Sequence, residues 1–429
     1  MPEQLVQRYL DQLVAEYSGV TDGALANYIP ELTEVDPSGF GLTLSASDGY
    51  LYESGDARRE FTIQSISKPF TYALALDLAG QDAVDAKIGI EPSGDAFNEI
   101  SVDPVTKIPK NPMINAGAIA AVSLIPGANP DERFARIQDF YSACAGRQLE
   151  LDEDVYRSEK ATGNRNWAIA YMLTSFGVFD DPEDVLDVYF RQCSLRVTSV
   201  DLARMGATLA RGGISPQTGR RVTGTKVVQR TLSVMVTCGM YNAAGDWVSA
   251  VGLPAKSGVG GGILAVLPGQ LGIGVYSPLL DDRGNSVRGV LVCRSLSERL
   301  GLHFLSVGRQ SRATIRAVYD AMDGVRVYEM HGDLMFAGAE KVLRTGDRER
   351  DQFAVAILDV TRVDTIDDPA RALLADMSTT LRAAGKQAYL VDPDAAVILP
   401  DRGFDEFVFT SIEDALAAAR EWLRDNLIR

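Results

Sequence analysis

The run QSISKPF, at residues 64–70, is the most informative stretch of this sequence. Ser65 and Lys68 are three positions apart, so on a helix they lie on one face. Pro69 is compatible with a helix only where the helix has just begun, which places Ser65 at its start, where free backbone N–H groups point at a developing anion. A lysine whose pKa is lowered to roughly 7–8 can take the proton of a serine hydroxyl. The run therefore predicts a nucleophilic Ser65 activated by Lys68.

A second motif, Lys256-Ser257-Gly258, precedes two predicted buried strands at residues 263–267 and 272–276, which a Pro-Gly turn joins. In serine-lysine acyl enzymes a Lys-Ser/Thr-Gly strand lies beside the serine, and its glycine lets the backbone approach the substrate. The two motifs in this order favour the fold of the penicilloyl enzymes. The alternatives for Lys256 are an isolated basic residue beside a turn, or a residue that orients the strand without taking part in the chemistry.

Composition limits the classes of protein that fit. Of the 429 residues, 46% are hydrophobic and 23% are charged, which excludes a mainly disordered or fibrous chain and suggests two or three domains. The formal net charge is −16, so nucleic acid and anionic lipid are disfavoured as main partners. Because the sequence has only two histidines, His303 and His331, a zinc site and a Ser-His-Asp triad are disfavoured.

The chain is expected in the cytoplasm. Its N-terminal run is charged throughout and lacks the apolar segment of a secretory signal. Residues 257–280 carry no charge, but glycines and prolines interrupt them, so short strands are predicted there and not a membrane span. No CxxC pair occurs, and buried free thiols in a reducing compartment are predicted for the four cysteines, Cys144, Cys193, Cys238 and Cys293.

Residues up to about 310 predict an α+β domain whose sheet is completed by both ends of this segment. The predicted elements are a β-hairpin at 41–46 and 50–52, buried helices at 114–124 and 166–176, paired strands within 247–276, and a closing helix at 290–304.

The pattern changes after about residue 310. Strands and helices then alternate over about 110 residues, which predicts a small separate α/β domain. The predicted strands are 325–329, 353–360 and 387–391, and the predicted helices are 371–384 and 412–427. The boundary is placed near 308–320, giving one domain at residues 1–310 and another at 320–429.

Residues 22–308 resemble the bacterial and mitochondrial serine-dependent glutaminases, which share the β-lactamase fold. The expected fold class is therefore an α+β, β-lactamase/DD-peptidase-like glutaminase domain. Besides QSISKPF, the resemblance rests on YIPEL at 28–32, EPSG at 91–94, NPMINAGA at 111–118, Ser158-Glu159 with Arg165-Asn166, Tyr189 ahead of QCS at 192–194, Met240-Tyr241, and GLPAKSGV at 252–259.

The resemblance implies hydrolysis of the side-chain amide of L-glutamine to L-glutamate and ammonia, without a metal or organic cofactor. Ser65 is then the nucleophile, Lys68 activates it, and Tyr241 relays the proton. The backbone N–H groups of Ser65 and Val259 form the oxyanion hole. Residues implied to bind the substrate are Tyr28, Ser65, Asn115, Glu159, Asn166, Tyr189, Tyr241 and Val259. Homo-oligomers, dimers or tetramers, are expected from the same resemblance.

Each binding residue also has a structural alternative. Tyr28 and Tyr189 are then core aromatics with satisfied hydroxyls, Asn115 is a helix cap or turn residue, and Asn166 is the N-cap of the following helix. Glu159 lies in a charged stretch, and its alternative is a solvated helix face.

Residues 320–429 resemble a STAS domain, the sulfate-transporter and anti-sigma-antagonist type, through GDLMF at 332–336 and DVTRVDTIDD at 359–368. In regulators of that family a phosphorylated serine follows the Ile-Asp pair at a helix start. Here Asp368 stands in its place, and Pro369 follows it, as is common in the first turn of a helix. The negative charge of the Asp368 carboxylate is favourable at the positive N-terminal end of the helix dipole. We hypothesise a fixed, phosphate-mimicking module that docks a protein partner or the glutaminase domain. The alternative is an appendage that extends an oligomer interface.

Two other functions remain open from the sequence. A β-lactamase or peptidase-type Ser-Lys acyl enzyme predicts an open cleft for a large amide, whereas a glutaminase predicts a small closed pocket containing Glu159. A non-catalytic regulator, in which the STAS domain acts and the other domain senses glutamine, predicts binding without turnover.

Overall fold

The computed structural model describes residues 5–93, 102–305, 315–394 and 407–427. Gly94 of the EPSG block, the first four residues of the N-terminal run and part of the predicted boundary at 308–320 lie outside the described residues. The chain divides into two compact units. One is Leu10–Ser295, and the other combines Met1–Tyr9 with Leu296–Arg429.

Most of the regular secondary structure of the described residues consists of helices. In chain order they are α1 Leu5–Ser18, α2 Pro30–Thr33, α3 Lys68–Ala79, α4 Gln81–Asp85, α5 Asn115–Ser123, α6 Pro130–Ala145, α7 Glu153–Thr162, α8 Asn164–Ser175, α9 Pro182–Cys193, α10 Ser199–Ala210, α11 Thr225–Cys238, α12 Ala244–Ala250, α13 Val287–Leu300, α14 Phe336–Arg348, α15 Asp368–Ala383 and α16 Ile412–Leu427. The strands are β1 Gly41–Ala46, β2 Leu51–Gly55, β3 Phe61–Thr62, β4 Arg196–Val197, β5 Ala255–Gly258, β6 Gly262–Leu267, β7 Leu271–Tyr276, β8 Ile315–Met322, β9 Val325–Leu334, β10 Val355–Ile366, β11 Gln387–Val391 and β12 Val408–Phe409.

The main sheet of the Leu10–Ser295 unit takes its strands from both ends of that unit. Its order is β2-β1-β7-β6-β5, and all neighbours are antiparallel. Gly41 of the front hairpin pairs with Tyr276 of the rear strands. Helix α10 lies so close to this sheet that a Cβ at Gly272 would be 2.2 Å from the carbonyl oxygen of Ala203. The predicted hairpin, the strand pair and the α+β arrangement are confirmed.

A helical layer surrounds α3, which is buried on every side over its first nine residues, Lys68 to Leu76. Its neighbours are α4, α5, α6 and α11. A helix that is apolar all round belongs in a protein interior, and the alanine- and leucine-rich sequence of α3 fits that position. The helix that begins at Lys68 is therefore a rigid support for whatever precedes it.

Two predicted helices differ from the structure in extent or burial. The helix predicted at 166–176 is α8, of which only Ile169, Ala170 and Leu173 are buried, so it is half-exposed and not a buried helix. The helix predicted at 290–304 is α13, which ends at Leu300. Gly301 follows with φ +59°, a left-handed conformation that ends a helix readily at glycine.

The prediction of paired strands from residue 247 is wrong at its beginning. Trp247 lies in α12, and its indole N–H donates to the carbonyl of Leu253 at 2.7 Å, which holds that short helix against the following turn. Lys256-Ser257-Gly258 does not merely precede the strand pair. It forms β5, the edge strand beside β6.

The sheet of the smaller unit has the order β12-β11-β10-β9-β8. Its strands are parallel except β8, which is antiparallel to β9. The predicted strand 387–391 and helix 412–427 are found with those bounds. The predicted strands 325–329 and 353–360 correspond to longer ones, and β8 and α14 were not predicted. The small α/β domain is confirmed.

The predictions of buried free thiols and of no membrane span concern the cysteines and the helices. All four cysteines are buried and unpaired. Within the described ranges, no helix combines the length and the apolar character that crossing a bilayer requires.

Candidate active site

The nucleophile run forms a single 3-10 turn, Gln64–Ser67, that continues directly into α3. Pro69 lies in the first turn of α3, where its missing N–H has no helical partner to lose. Gln64 has φ +49°, an uncommon conformation for a residue other than glycine. The predicted position of Ser65 at a helix start is confirmed.

The Lys68 amine joins Ser65 to the helical layer. Its Nζ donates to Ser65 Oγ at 3.0 Å and to Asn115 Oδ1 at 2.6 Å. The side chain is 1% exposed, and desolvation lowers the pKa of Lys68 to about 8 although the nearby Cys193 and Glu159 act in the opposite direction. An amine with that pKa is neutral in a useful fraction near neutrality, so it can accept the proton of the serine hydroxyl.

Strand β5 and the turn after it pack against the residues that lead into Ser65. A Cβ on Gly258 would lie 3.0 Å from the carbonyl oxygen of Ile63, and one on Gly260 would lie 2.6 Å from that of Thr62. This closeness requires glycine at residue 260 and brings Val259, which lies between the two glycines, to the nucleophile turn. Among the backbone hydrogen bonds of the described residues outside helices and strands, none is donated by the amide of Ser65 or of Val259.

Tyr241 is a further neighbour of the Ser65 hydroxyl. It begins a 3-10 turn with φ +54° and forms a hydrogen bond with Ser65. Burial raises the pKa of Tyr241 to about 12, while the bond with Ser65 lowers it. Lys256 of β5 lies against the ring, with Nζ 3.8 Å from the ring centroid, and donates to the carbonyl of Ser257 at 2.8 Å.

Glu159 is buried and not on a solvated face. It lies on α7, is 6% exposed, and accepts a hydrogen bond from the hydroxyl of Tyr28 at 2.8 Å. Burial raises the pKa of Glu159, and the hydrogen bonds from Tyr28 and Gln64 partly offset that effect. Tyr28 as a whole is 46% exposed, so it is not a core aromatic, but its hydroxyl points inward to the carboxylate.

The two asparagines continue the chain of hydrogen bonds that starts at Ser65. Asn115 Nδ2 donates to Asn166 Oδ1 at 2.9 Å, while its Oδ1 accepts from Lys68. Neither is an N-cap, because Ile114 precedes α5 and Gly163 precedes α8. Tyr189 is buried on α9, and desolvation followed by the charges of Cys193 and Glu159 raises its pKa. Hydrogen bonds thus connect Ser65, Lys68, Asn115 and Asn166, Tyr28 is bonded to Glu159, and Tyr189 interacts electrostatically with Glu159.

One residue of this group was missed from the sequence. Gln64 Oε1 accepts from the Tyr28 hydroxyl at 3.1 Å, and its Nε2 donates to Thr62 Oγ1 at 3.2 Å. It therefore connects the nucleophile turn to the Tyr28–Glu159 pair. Its place directly before Ser65 is the only sequence signal that could have suggested this role.

Comparison with known proteins agrees with this geometry. Residues 23–305 match the family described as Glutaminase. The glutaminase of Corynebacterium glutamicum is 42% identical over 405 residues, which cover 94% of this chain and 97% of that protein. The chain belongs to the glutaminase family. Glutaminase 1 of Bradyrhizobium diazoefficiens is 46% identical over 398 residues, covering 88% of this chain, but this chain spans only 64% of that longer relative.

The other comparisons concern the fold and the C-terminal unit. A crystal structure of the protein Mglu in its glutamate form superposes with a TM-score of 0.70 at 42% identity, and covers 91% of this chain and 99% of that chain. Residues 316–417 match the STAS domain. This glutaminase family member therefore carries a glutaminase domain followed by a STAS domain.

The last two residues of the 359–368 motif, Asp367 and Asp368, form the start of α15, and the residues before them belong to β10. Asp367 is the N-cap, and its carboxylate accepts from the amide of Ala370 at 2.8 Å and from the amide of Phe336, at the start of α14, at 3.2 Å. Asp368 is the first helical residue. Its side chain is 87% exposed and pairs with Arg371 at 2.8 Å.

Proposed function

We propose that this protein hydrolyses the side-chain amide of L-glutamine to L-glutamate and ammonia through a γ-glutamyl ester on Ser65. The observation that carries the proposal is the hydrogen bond of 3.0 Å from Lys68 Nζ to Ser65 Oγ, in a glutaminase family member whose Lys68 pKa is lowered to about 8. A serine and a neutral amine at this distance can act as nucleophile and base.

In the proposed acylation, neutral Lys68 takes the proton from Ser65 Oγ as that oxygen attacks the carboxamide carbon of the substrate. The carbonyl electron pair moves onto oxygen, where the amides of Ser65 and Val259 stabilise it. One such donor contributes about 10²–10³-fold in kcat. The C–N bond then breaks, and the nitrogen takes the proton from Lys68 through the phenol of Tyr241 and leaves as ammonia.

Water completes the cycle. Lys68 and Tyr241 take a proton from water as its oxygen attacks the ester carbon, and Ser65 recovers its proton when the ester C–O bond breaks. The high pKa of Tyr241, about 12, keeps the phenol protonated between turnovers, so it passes protons on and does not remain ionised.

The group around Glu159 is proposed to hold the α-ammonium and α-carboxylate of the substrate. Glu159 pairs with the ammonium, while the amides of Asn115 and Asn166 and the hydroxyls of Tyr28 and Tyr189 supply donors for the carboxylate. Burial favours this role, because a buried carboxylate with a raised pKa gains more from a cation than an exposed one does.

The test is a comparison of substrates and variants. Ammonia release from L-glutamine is expected, without turnover of a β-lactam. Ser65→Ala is expected to abolish release while it leaves glutamine affinity within about tenfold, since the hydroxyl acts mainly in the chemical step. The control is Ser233→Ala, at an exposed position of α11. Binding without turnover by the unaltered protein, or β-lactam turnover, would overturn the proposal.

We also propose that the glutaminase domain occupies residues 1–310 and the STAS domain 320–429, which the matches at 23–305 and 316–417 support. The proposed location is the cytoplasm, which the buried thiols suit, and the proposed state is a homo-oligomer. Light scattering on the purified protein tests the last point, and a monomer at micromolar concentration would contradict it.

The STAS domain is proposed to be a constitutive docking module for a protein partner or the glutaminase domain. The exposed carboxylate of Asp368 at the start of α15 supports this, because it supplies a permanent negative charge at a helix N-terminus. Mass spectrometry of the purified protein is the test. Stoichiometric phosphate within residues 361–370 would overturn the proposal.

A further inference from the structure

Helices α7 and α9 are joined by a cluster of charges centred on the carboxylate of Asp187. Its Oδ1 accepts from Lys160 Nζ and from the Tyr156 hydroxyl, both at 2.5 Å. Its Oδ2 lies 2.8 Å from Arg191 Nη2 and accepts no hydrogen bond among the described residues, so this contact is an ion pair. Tyr156 and Lys160 belong to α7, while Asp187 and Arg191 belong to α9.

The cluster is only partly open to solvent. The side chain of Asp187 is 10% exposed and that of Lys160 is 46% exposed. The Tyr156 ring has the Lys160 amine and the Arg191 guanidinium each 5.5 Å from its centroid. Burial alone would raise the pKa of Asp187, but the bonds from Lys160 and Tyr156 and the charge of Arg191 outweigh it and lower the pKa.

The same two helices carry two residues of the proposed substrate site. Glu159 directly precedes Lys160 on α7, and Tyr189 follows Asp187 by two positions on α9. Successive helical residues are about 100° apart, so these pairs project in different directions. Glu159 and Tyr189 are buried, whereas Lys160 is exposed. The cluster thus lies on the two helices that carry Glu159 and Tyr189 and does not include either residue.

Few side chains of helix α7 are buried. It is ten residues long, and only Val155 and Glu159 are buried. A helix of this length is marginal without tertiary contacts, and its apolar contacts are few. Besides the packing of Val155, its position depends on polar connections: the one to Asp187, the Ser158–Glu31 hydrogen bond of 2.6 Å and the Tyr28–Glu159 hydrogen bond of 2.8 Å.

We propose that Asp187 is a positioning residue for glutamine binding, which holds Lys160 and Tyr156 of α7 against α9 and so fixes the Glu159 carboxylate relative to the Tyr189 hydroxyl. This inference rests on the proposed function. Displacing a group that contacts the substrate by about 1 Å can lower the rate of the reaction by about 10²-fold. Because the cluster does not touch the reacting amide, its loss is expected in binding and not in the chemical step.

The experiment uses Asp187→Asn, which keeps the size of the side chain and removes its charge. The expected result is a rise of about three- to tenfold in KM for L-glutamine, and a similar loss in affinity for L-glutamate by calorimetry, with kcat changed by less than about twofold. Lys160→Met removes the α7 side of the connection and is expected to act the same way. In the double variant the two effects are expected not to add, because both remove one interaction.

Asp131→Asn is the matched control. Asp131 lies on α6 and pairs with Arg191 at 2.6 Å, and among the described residues its ion pair and side-chain hydrogen bond include none to α7, so KM is expected to stay unchanged. If Asp187→Asn does not fold, the KM and the glutamate affinity of Lys160→Met test the inference.

An unchanged KM and glutamate affinity in the folded variants, or a loss confined to kcat, would overturn the inference while leaving the proposed function intact. An unaltered protein that neither hydrolyses glutamine nor binds glutamate would overturn both.

Discussion

The amine of Lys256 lies 3.8 Å from the centroid of the Tyr241 ring and is fully buried. Burial, and then the positive charge of Lys68, hold the pKa of Lys256 well below its ordinary value. A lowered pKa reduces the tendency of the amine to carry a charge, so packing contributes to its contact with the ring beside any cation–π attraction. It fixes a tyrosine whose backbone is in the left-handed region, with φ +54°.

Lys256→Met tests this relationship. Methionine fills similar space but cannot donate to the Ser257 carbonyl. Strand β5 and the Tyr241 ring packed against it are then held less firmly in place. We expect kcat to fall by about 10- to 100-fold and KM to change by less than about threefold, because the phenol acts in proton transfer. The control is Lys226→Met at an exposed position of α11, which should leave both constants unchanged. Steady-state kinetics that show an unaltered kcat for Lys256→Met would contradict the expectation.

The lowered pKa of Lys68 predicts the pH dependence of the activity. Desolvation brings that pKa from 10.5 to about 8, and only the neutral amine accepts the serine proton. Below about pH 8 the neutral fraction falls tenfold for each pH unit, so kcat/KM should rise with pH and level off above about pH 8. Lys68→Arg should be inactive at every pH, because a guanidinium does not deprotonate in proteins. A flat profile between about pH 6 and about pH 9 would refute Lys68 as the base.

Glu159→Gln should weaken the binding of the α-ammonium group of the substrate. We expect KM for L-glutamine to rise by about 10- to 100-fold, because the cation is left without its buried counter-charge. The unaltered protein should discriminate strongly against the analogue that lacks the α-amine, and the variant should not. Glu153→Gln, at an exposed position of the same helix, is the control. Strong discrimination that persists in Glu159→Gln would show that another group binds the ammonium.

Gly260→Ala should damage both activity and stability. The added Cβ would lie 2.6 Å from the Thr62 carbonyl oxygen, which must move and take the nucleophile turn with it. A fall of about 10²-fold in kcat/KM and a lower Tm are expected. Gly245→Ala is the opposite case, because a Cβ on this α12 residue meets no atom within 4 Å. It should stabilise the fold by about 0.5–1 kcal/mol and leave kinetics unchanged. Equal effects of the two substitutions on Tm would contradict this reasoning.

The sequence predicted elements whose signals are local. The hairpin at β1 and β2 and the strand β11 were predicted because alternation, turn residues and short apolar runs determine them. Helix α14 was missed because its inner face includes Glu340 and Arg344, which are both buried and pair with each other at 3.2 Å. A pattern of apolar spacing does not reveal a face that is buried through a salt bridge.

The candidate site shows the same limit. Ser65 and Lys68 were predicted because three residues of spacing determine that they meet on a helix. A strand at Lys256–Gly258 was expected only by analogy with serine-lysine acyl enzymes, because both faces of β5 are buried and polar residues occupy it, so no local alternation marks it. The connections that Gln64 and Asp187 make depend on distant partners, Tyr28 and Lys160 respectively, so no local pattern could predict them.

The pairing of Gly41 with Tyr276 has a consequence for biosynthesis. At about 5–20 residues per second, β1 leaves the ribosome on the order of 10 to 50 seconds before its partner strand β7 exists. During that interval the inner edge of the front hairpin has unpaired N–H and C=O groups and can join a neighbouring nascent chain. Ser65 has then already emerged without Lys256, so a polysome should have no activity from incomplete chains, and holdase chaperones should protect the yield of this enzyme.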